Sequence, residues 1–306
     1  MYIPIKQNRI FKMRKAYLVG GISFIIVLIL SLILLYTSFL DISYTSISTD
    51  KPGNPDQRKV VYFGVVSRYS PHLLYEGYQP LMDYLSRETA YQFRLRLSHT
   101  YQETIEQLNS GEVSAAFLGT YIYILNRDNS DLQCILKPLN ESGEPFFHSV
   151  VVSLQNSGVN KIEDLKGKRL ALPSPHSYSA NWLFNNTGLK KADMDSIYHF
   201  DFHNTVIYEI LKGDFDAGIV KDRVAREFED KGIRIIHRSD SIPASPIVIH
   251  KRTKPEIALA ISEALLKIDI KQDEYKKLVL NWDPEFRYGF MTAAHQDYPN
   301  EMGAQR

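Results

Sequence analysis

Three hydroxyl-bearing residues in a row, Ser177, Tyr178 and Ser179, stand where an apolar run gives way to a helical one. Arg169-Leu170-Ala171-Leu172 has the composition of a buried strand, and Pro173, Ser174 and Pro175 stop it. Ala180-Asn181-Trp182-Leu183-Phe184 then opens a helix. The first N–H groups of a helix have no partner within it, so a serine at that position caps them. The same groups, with the positive end of the helix dipole, also hold an anion. Taken alone, the stretch favours the cap. Ser177, His203 and Asp222 are also residue types of a nucleophile, a base and an orienting group. No G-x-S-x-G surrounds Ser177, and there is no H-E-x-x-H, phosphate-binding loop or G-x-G-x-x-G. No enzymatic activity is therefore expected. One cysteine, Cys134, rules out an internal disulfide and a cysteine-rich metal site, and no cofactor is expected.

The elements that must position these residues follow an α/β rhythm. Val60–Val66 is a continuous apolar run, and Leu73 to Arg87 has helical spacing through Leu74, Tyr78, Leu81, Met82 and Leu85. Phe93–Leu97 alternates as a strand. Tyr101 lies in the loop before a helix closed by Gly111, and Val113–Leu118 is the next strand, ending at Thr120. The alternation predicts a parallel sheet covered by helices. A gapless internal echo places Ile105–Ala115 on Ile207–Ala217 and sets Tyr101 opposite His203, each before its helix. In open α/β sheets, ligands bind at the carboxyl ends of the strands. Two such lobes face to face put Ser67, Tyr101 and Thr120 across a cleft from Ser177, Ser179 and His203. Phe146–Ser153 reads as a strand crossing between lobes and Ile242–His250 as the return, two crossings that make a hinge.

Charge is unevenly placed along the 306 residues, whose formal net charge is +1. Lys6, Arg9, Lys12, Arg14 and Lys15 precede any acid, and without these five the chain holds 31 basic and 35 acidic residues. The body has no basic tract, which excludes nucleic acid as a partner. Residues 16–40 are uncharged and apolar, longer than the roughly 20 residues that span a bilayer. Their length favours a retained anchor over a cleaved signal peptide, and the basic flank keeps the N-terminus in the cytoplasm with the body exported. The expected organisation is a basic tail over 1–15, a transmembrane anchor over 16–40 and a linker over 41–58. One lobe spans 59–147 plus 247–306, and the other spans 148–246.

Several segments, in order over nearly the whole body, resemble the periplasmic solute-binding proteins of phosphate, phosphite and phosphonate ABC transporters. They include FGVVS, YQPLMDYLSRET, EQLNSGEVSAAFLGTYIY, FFHSVVVS, IEDLKGKRLALPSPHSYSA, FHNTVIYEILKGDFDAGIV and IPASPIVIHKRTKPE. The resemblance implies a two-lobe type II binding-protein fold with a hinge. It implies an anion held by a Ser-Thr-Ser type loop, matched here by Ser177, Tyr178 and Ser179, with Tyr101 and His203 at ligand-contact positions. A tyrosine of the family falls on Phe147, which lacks the hydroxyl. A carboxylate that pairs with a ligand amine in some relatives falls on Ser245, which counts against aminophosphonates. Tyr178 in place of a small residue narrows the pocket, and a protonated His203 would add a charge-assisted bond.

Together these readings describe a membrane-tethered, extracytoplasmic binding protein for a small oxyanion, serving an ABC permease. The alternative is a sensing ectodomain that signals to a membrane partner such as a sensor kinase.

Overall fold

The structure, a computed structural model, describes residues 27–31, 58–66, 69–128 and 131–299. Residues 27–31 form a helical turn within the first of two compact units, Met1–Gln57, and Arg58–Arg306 is the second. Among the described residues no helix is long and apolar enough to cross a membrane. The anchor expected over 16–40 lies, apart from 27–31, outside the described residues. So do the tail and nearly all of the linker.

The second unit is built on two sheets. The first has the order β13-β4-β12-β3-β1-β2, with β1 (Val60–Val65), β2 (Gln92–Leu97), β3 (Ala115–Phe117), β4 (Leu132–Pro138), β12 (Ile247–His250) and β13 (Phe290–Thr292). The second has the order β10-β6-β9-β7-β8, with β6 (Ser149–Leu154), β7 (Arg169–Leu172), β8 (Ser196–His199), β9 (Ala217–Lys221) and β10 (Ile233–Arg238). Neither sheet is parallel throughout, as the alternation of elements predicts. β1 pairs in parallel with β2 and β3, but β12 runs antiparallel to both β3 and β4. In the second sheet β7 is parallel to β8 and β9, and β6 is antiparallel to β9. The antiparallel members are the crossing strands, which must enter each sheet from the other lobe.

The internal echo is a structural repeat. The helix Tyr101–Ser110 ends at Gly111 and leads into β3, and the helix His203–Lys212 ends at Gly213 and leads into β9. Both glycines are left-handed, with φ of 80° and 84°, and return their N–H groups to the last helical carbonyls. Thus β7 between β8 and β9 corresponds to β1 between β2 and β3. Tyr101 and His203 are not in loops but are the first residues of their helices, with Thr100 and Phe202 at the N-cap positions.

Each crossing is broken rather than continuous. β5 (Phe146–Phe147) is separated from β6 at His148, and β11 (Ile242–Pro243) is separated from β12 by residues 244–246. β5 and β11 pair with each other as a two-stranded ribbon between the sheets. Tyr298, fully buried against Tyr123, donates its hydroxyl to Ala244 O at 2.8 Å and so ties the C-terminal segment to this hinge.

Hydrophobic burial positions both sheets. Leu74, Tyr78, Leu81, Met82 and Leu85 form one stripe of the helix Pro71–Glu88 and pack with Phe63, Phe117, Trp282 and Phe286. In the other lobe Val206, Ile207 and Ile210 of the helix His203–Lys212 pack on Ala171, Val150 and Val220. Gly218 permits that approach. A Cβ there would lie 2.6 Å from Ala171 O and 2.7 Å from Val206 Cγ1. Gly218→Ala is expected to lower stability by about 2–4 kcal/mol, the cost of overpacking a central strand. Urea unfolding checks this, with Gly143→Ala, where no neighbour lies within 4 Å and only the left-handed backbone (φ 78°) is strained, as the milder reference.

At the strand ends remote from the cleft, Asp216 accepts from Arg169 N at 2.8 Å and from Arg169 Nη2 at 3.0 Å, joining β7 to β9. The Arg169 hydrogen bonds hold the Asp216 carboxyl below its ordinary 3.8. A depressed folded-state pKa means that this contribution is complete above the unfolded value and is lost as pH falls through the folded one. Because the pair is part exposed, Asp216→Asn should cost about 0.5–1 kcal/mol at pH 7. The difference from the parent should shrink on acidification, as measured by urea unfolding at a series of pH values.

Candidate functional site

Five described helices begin at one place. The helices Tyr101–Ser110, Thr120–Asn126, Tyr178–Asn186, His203–Lys212 and Asp222–Arg226 follow β2, β3, β7, β8 and β9. Their first residues or N-caps surround a hollow of about 40 Å³ between the lobes, lined by Tyr101, Gly119, Thr120, Tyr121, Ser177, Tyr178, His203 and Lys221. Val66, Tyr69, Phe147, His176, Val224, Ser245 and Glu285 complete the wall. At roughly 10–15 Å³ per water, the hollow has room for about three waters, the scale of a small tetrahedral anion. Each helix start adds partial positive charge.

The helix Tyr178–Asn186 is the clearest case. Ser177 occupies the N-cap position but makes no side-chain cap. Its hydroxyl instead lies 3.3 Å from His203 Nε2. Thr100, by contrast, does cap its helix by accepting from Glu103 N at 3.1 Å. The cap expected from the serine is therefore replaced by a bond across the site. Ser177 leaves the first N–H groups of its helix to other acceptors. Asn181 Nδ2 holds the preceding turn in shape by donating to Pro175 O at 2.7 Å and Ser177 O at 2.9 Å.

His203 Nδ1 accepts from Lys221 N at 3.4 Å. A backbone N–H can only donate, so Nδ1 is the acceptor in that contact and Nε2 is the ring nitrogen facing Ser177. Asp222 turns its carboxylate to Arg226 and Arg238, each at 3.4 Å, and to Arg223 N at 2.9 Å. Ser177, His203 and Asp222 are thus not arranged as nucleophile, base and orienter.

The other anticipated residues divide. Tyr101, Thr120, Phe147, Ser177, Tyr178 and His203 line the one hollow. Ser179 is fully buried, with its hydroxyl 2.8 Å from Ser149 Oγ, so only its backbone belongs to the helix start. Thr120 Oγ1 donates to Pro243 O at 2.8 Å, fastening a helix start to the hinge. Ser67 lies outside the described residues. Burial pushes the Tyr178 phenol up to about 12, so at neutral pH it stays protonated. Among the described residues there is no cluster of His, Cys, Asp and Glu able to hold a metal ion.

Several lining residues escape the sequence reading, above all Lys221 and Glu285. Lys221 Nζ bridges to Glu285 Oε1 at 2.7 Å and lies 4.4 Å above the Phe147 ring, both side chains being largely buried. Nearby, Arg223 Nη2 donates to Tyr69 Oη at 2.8 Å, and Tyr101 and Tyr121 meet His176 and Tyr178 ring to ring. These five contacts join one lobe to the other. Burial by itself lowers the Arg223 pKa, but Tyr69, Glu285, Asp283 and Glu227 together raise it, so the guanidinium stays charged. The echo held a usable signal for Lys221. Continued beyond Ala115 and Ala217, it aligns Gly119 with Lys221, both at the hollow.

If these pairs hold the lobes together, Tyr69→Phe, which removes one cross-lobe acceptor, should increase amide hydrogen exchange in the helix Asp222–Arg226 while leaving β1 protected. Unchanged exchange in that helix contradicts the assignment.

Residues 63–298 match the family described as the phosphonate ABC transporter periplasmic substrate-binding protein. The phosphate-import protein PhnD of Mycolicibacterium smegmatis is 25% identical over 205 residues, 59% of this chain and 63% of that protein. The phosphonates-binding periplasmic protein of Escherichia coli is 21% identical over 211 residues, 64% and 62% of the two chains. The match thus spans just under two thirds of each relative's length. Among solved structures, PhnD1 of Prochlorococcus marinus in complex with methylphosphonate superposes with a TM-score of 0.69 at 18% identity, covering 80% of this chain and 97% of that one. With the family match running from β1 to the tyrosine that braces the hinge, this chain belongs to the periplasmic substrate-binding proteins of phosphonate ABC transporters.

Proposed function

We propose that this chain is an extracytoplasmic clamp that binds a small phosphorus oxyanion, phosphate or a phosphonate, between its lobes and delivers it to an ABC permease. The observation that carries the reading is the convergence of five helix starts on a hollow of about 40 Å³. Helix N-termini favour anions and supply N–H donors without the desolvation cost of a fully charged site. Tyr101, Ser177, Tyr178 and His203 add side-chain donors. Phe147, Thr120 and the backbone of Ser179 shape the wall. In this reading 59–147 with 247–306 forms one jaw and 148–246 the other, β5 and β11 are the pivot, and no bond of the ligand is broken. Residues 16–40 serve as the membrane anchor, with the binding unit outside.

The names of the two relatives support phosphate or phosphonate as the ligand class, and the methylphosphonate complex supports a ligand of that size. The uncharged run 16–40 favours a tether and equally suits a sensing ectodomain coupled to a membrane kinase. Co-purification from membranes separates the two, since a permease in the pull-down supports transport and a kinase supports sensing.

A thermal-shift series with phosphate, phosphite, methylphosphonate and sulfate tests the ligand class. A ligand at 100 times its Kd stabilises by about 2.7 kcal/mol, which raises Tm by roughly 5–10 °C for a body of this size. Ser177→Ala should weaken binding about 10–100-fold through loss of one hydrogen bond to a charged ligand. A rise with a neutral or cationic metabolite and none with any of the anions contradicts the proposal.

A further inference from the structure

Beside the hollow lies a second, larger cleft of about 400 Å³. Phe147, Lys221, Ser245 and Glu285 line both spaces and stand between them. The rest of the cleft wall includes Leu139, Phe146 and Tyr288, with Arg226 and Arg287 at its polar side. Its volume falls in the ordinary range for a small-molecule site, whereas the hollow holds no more than a headgroup.

Ser245 is the observation that points to a ligand. It is 2% exposed, and its hydroxyl has no hydrogen-bond partner among the described residues. A buried hydroxyl left without a partner costs about 1–3 kcal/mol, and this one, unlike those of Tyr78 and Tyr123 in the core, belongs to the wall of both spaces. Ser245 sits on the segment between β11 and β12, where the two spaces meet. The Lys221–Glu285 pair forms part of the same partition, and an anion in the hollow competes with Glu285 for the Lys221 ammonium.

We infer that the preferred ligand is a phosphonate or phosphate monoester carrying an aromatic or comparably large apolar group. The oxyanion occupies the hollow, the linking atom passes Ser245, and the organic group fills the 400 Å³ cleft. This rests on the oxyanion reading and adds the substituent. The cleft suits a ring for physical reasons. Phe146, Phe147 and Tyr288 offer aromatic faces, and guanidinium planes stack on rings.

Calorimetric titration of the full chain with phenylphosphonate, phenyl phosphate, methylphosphonate and inorganic phosphate tests this. Burying the ring should make the two phenyl ligands bind about tenfold or more tighter than methylphosphonate and phosphate. Leu139→Trp narrows the cleft without reaching the hollow, and Glu141→Trp does so from an exposed position with little risk to the fold. At least one of the two should erase the phenyl preference while methylphosphonate affinity stays within about twofold of the parent, a margin of a few tenths of a kcal/mol. Phenyl ligands that bind no tighter than methylphosphonate overturn the inference and leave the oxyanion reading standing. So does a preference that survives both variants. Failure of all four compounds to bind overturns the oxyanion reading, and this inference with it.

Discussion

The structure depends on one electrostatic constraint: five helices start at the same small space and point their positive ends into it. Convergence of like partial charges is unfavourable unless something negative, or a high-dielectric medium, sits between them. A soluble fold avoids the problem by pointing helix starts at water. Here the topology forbids that, because each helix follows a strand whose carboxyl end faces the opposite lobe. In the proposed function, closing the lobes brings the two sets of N-termini together, a bound anion relieves the cost of doing so, and binding and closure are one event.

The hinge and the cross-lobe pairs decide how readily that event occurs. The ribbon of β5 and β11 is only two residues wide on each side, so little backbone pairing resists rotation. Against this, Lys221 with Glu285 and Arg223 with Tyr69 hold the jaws shut from the flank of the site. A buried ion pair contributes little net stability, since desolvation offsets most of the Coulomb attraction, but it fixes geometry. Placed beside the hollow, the Lys221–Glu285 pair keeps a cation next to the five helix starts without leaving it unbalanced. Thr120 and Tyr298, bonded to Pro243 and Ala244, brace the return segment that carries Ser245.

Much of this was legible because it repeats or is strongly patterned. The stripe Leu74–Leu85, the glycines at 111 and 213 and the echo of Tyr101 with His203 each reflect a local rule, and the fold obeys them. Other features depend on contacts between distant segments. The break at His148 is invisible in Phe146–Ser153, which is apolar on both sides of it. β13 is three residues at a sheet edge, too short for periodicity to register. Glu285 stands on a 3₁₀ turn far along the chain from Lys221, and no spacing rule joins them. Ser177 shows the limit of local reasoning most clearly: its type and place are those of a cap, and only the position of His203, 26 residues away, explains why it is not one.

The most direct test of the central claim is a crystal structure of the chain grown with methylphosphonate. The account predicts the phosphonate group between the lobes, with its oxygens within hydrogen-bonding distance of the backbone N–H groups that open the helix Tyr178–Asn186 and of Tyr101 from the other lobe. An anion bound elsewhere on the surface, with the hollow between Tyr101 and Ser177 filled by side chains, would contradict it.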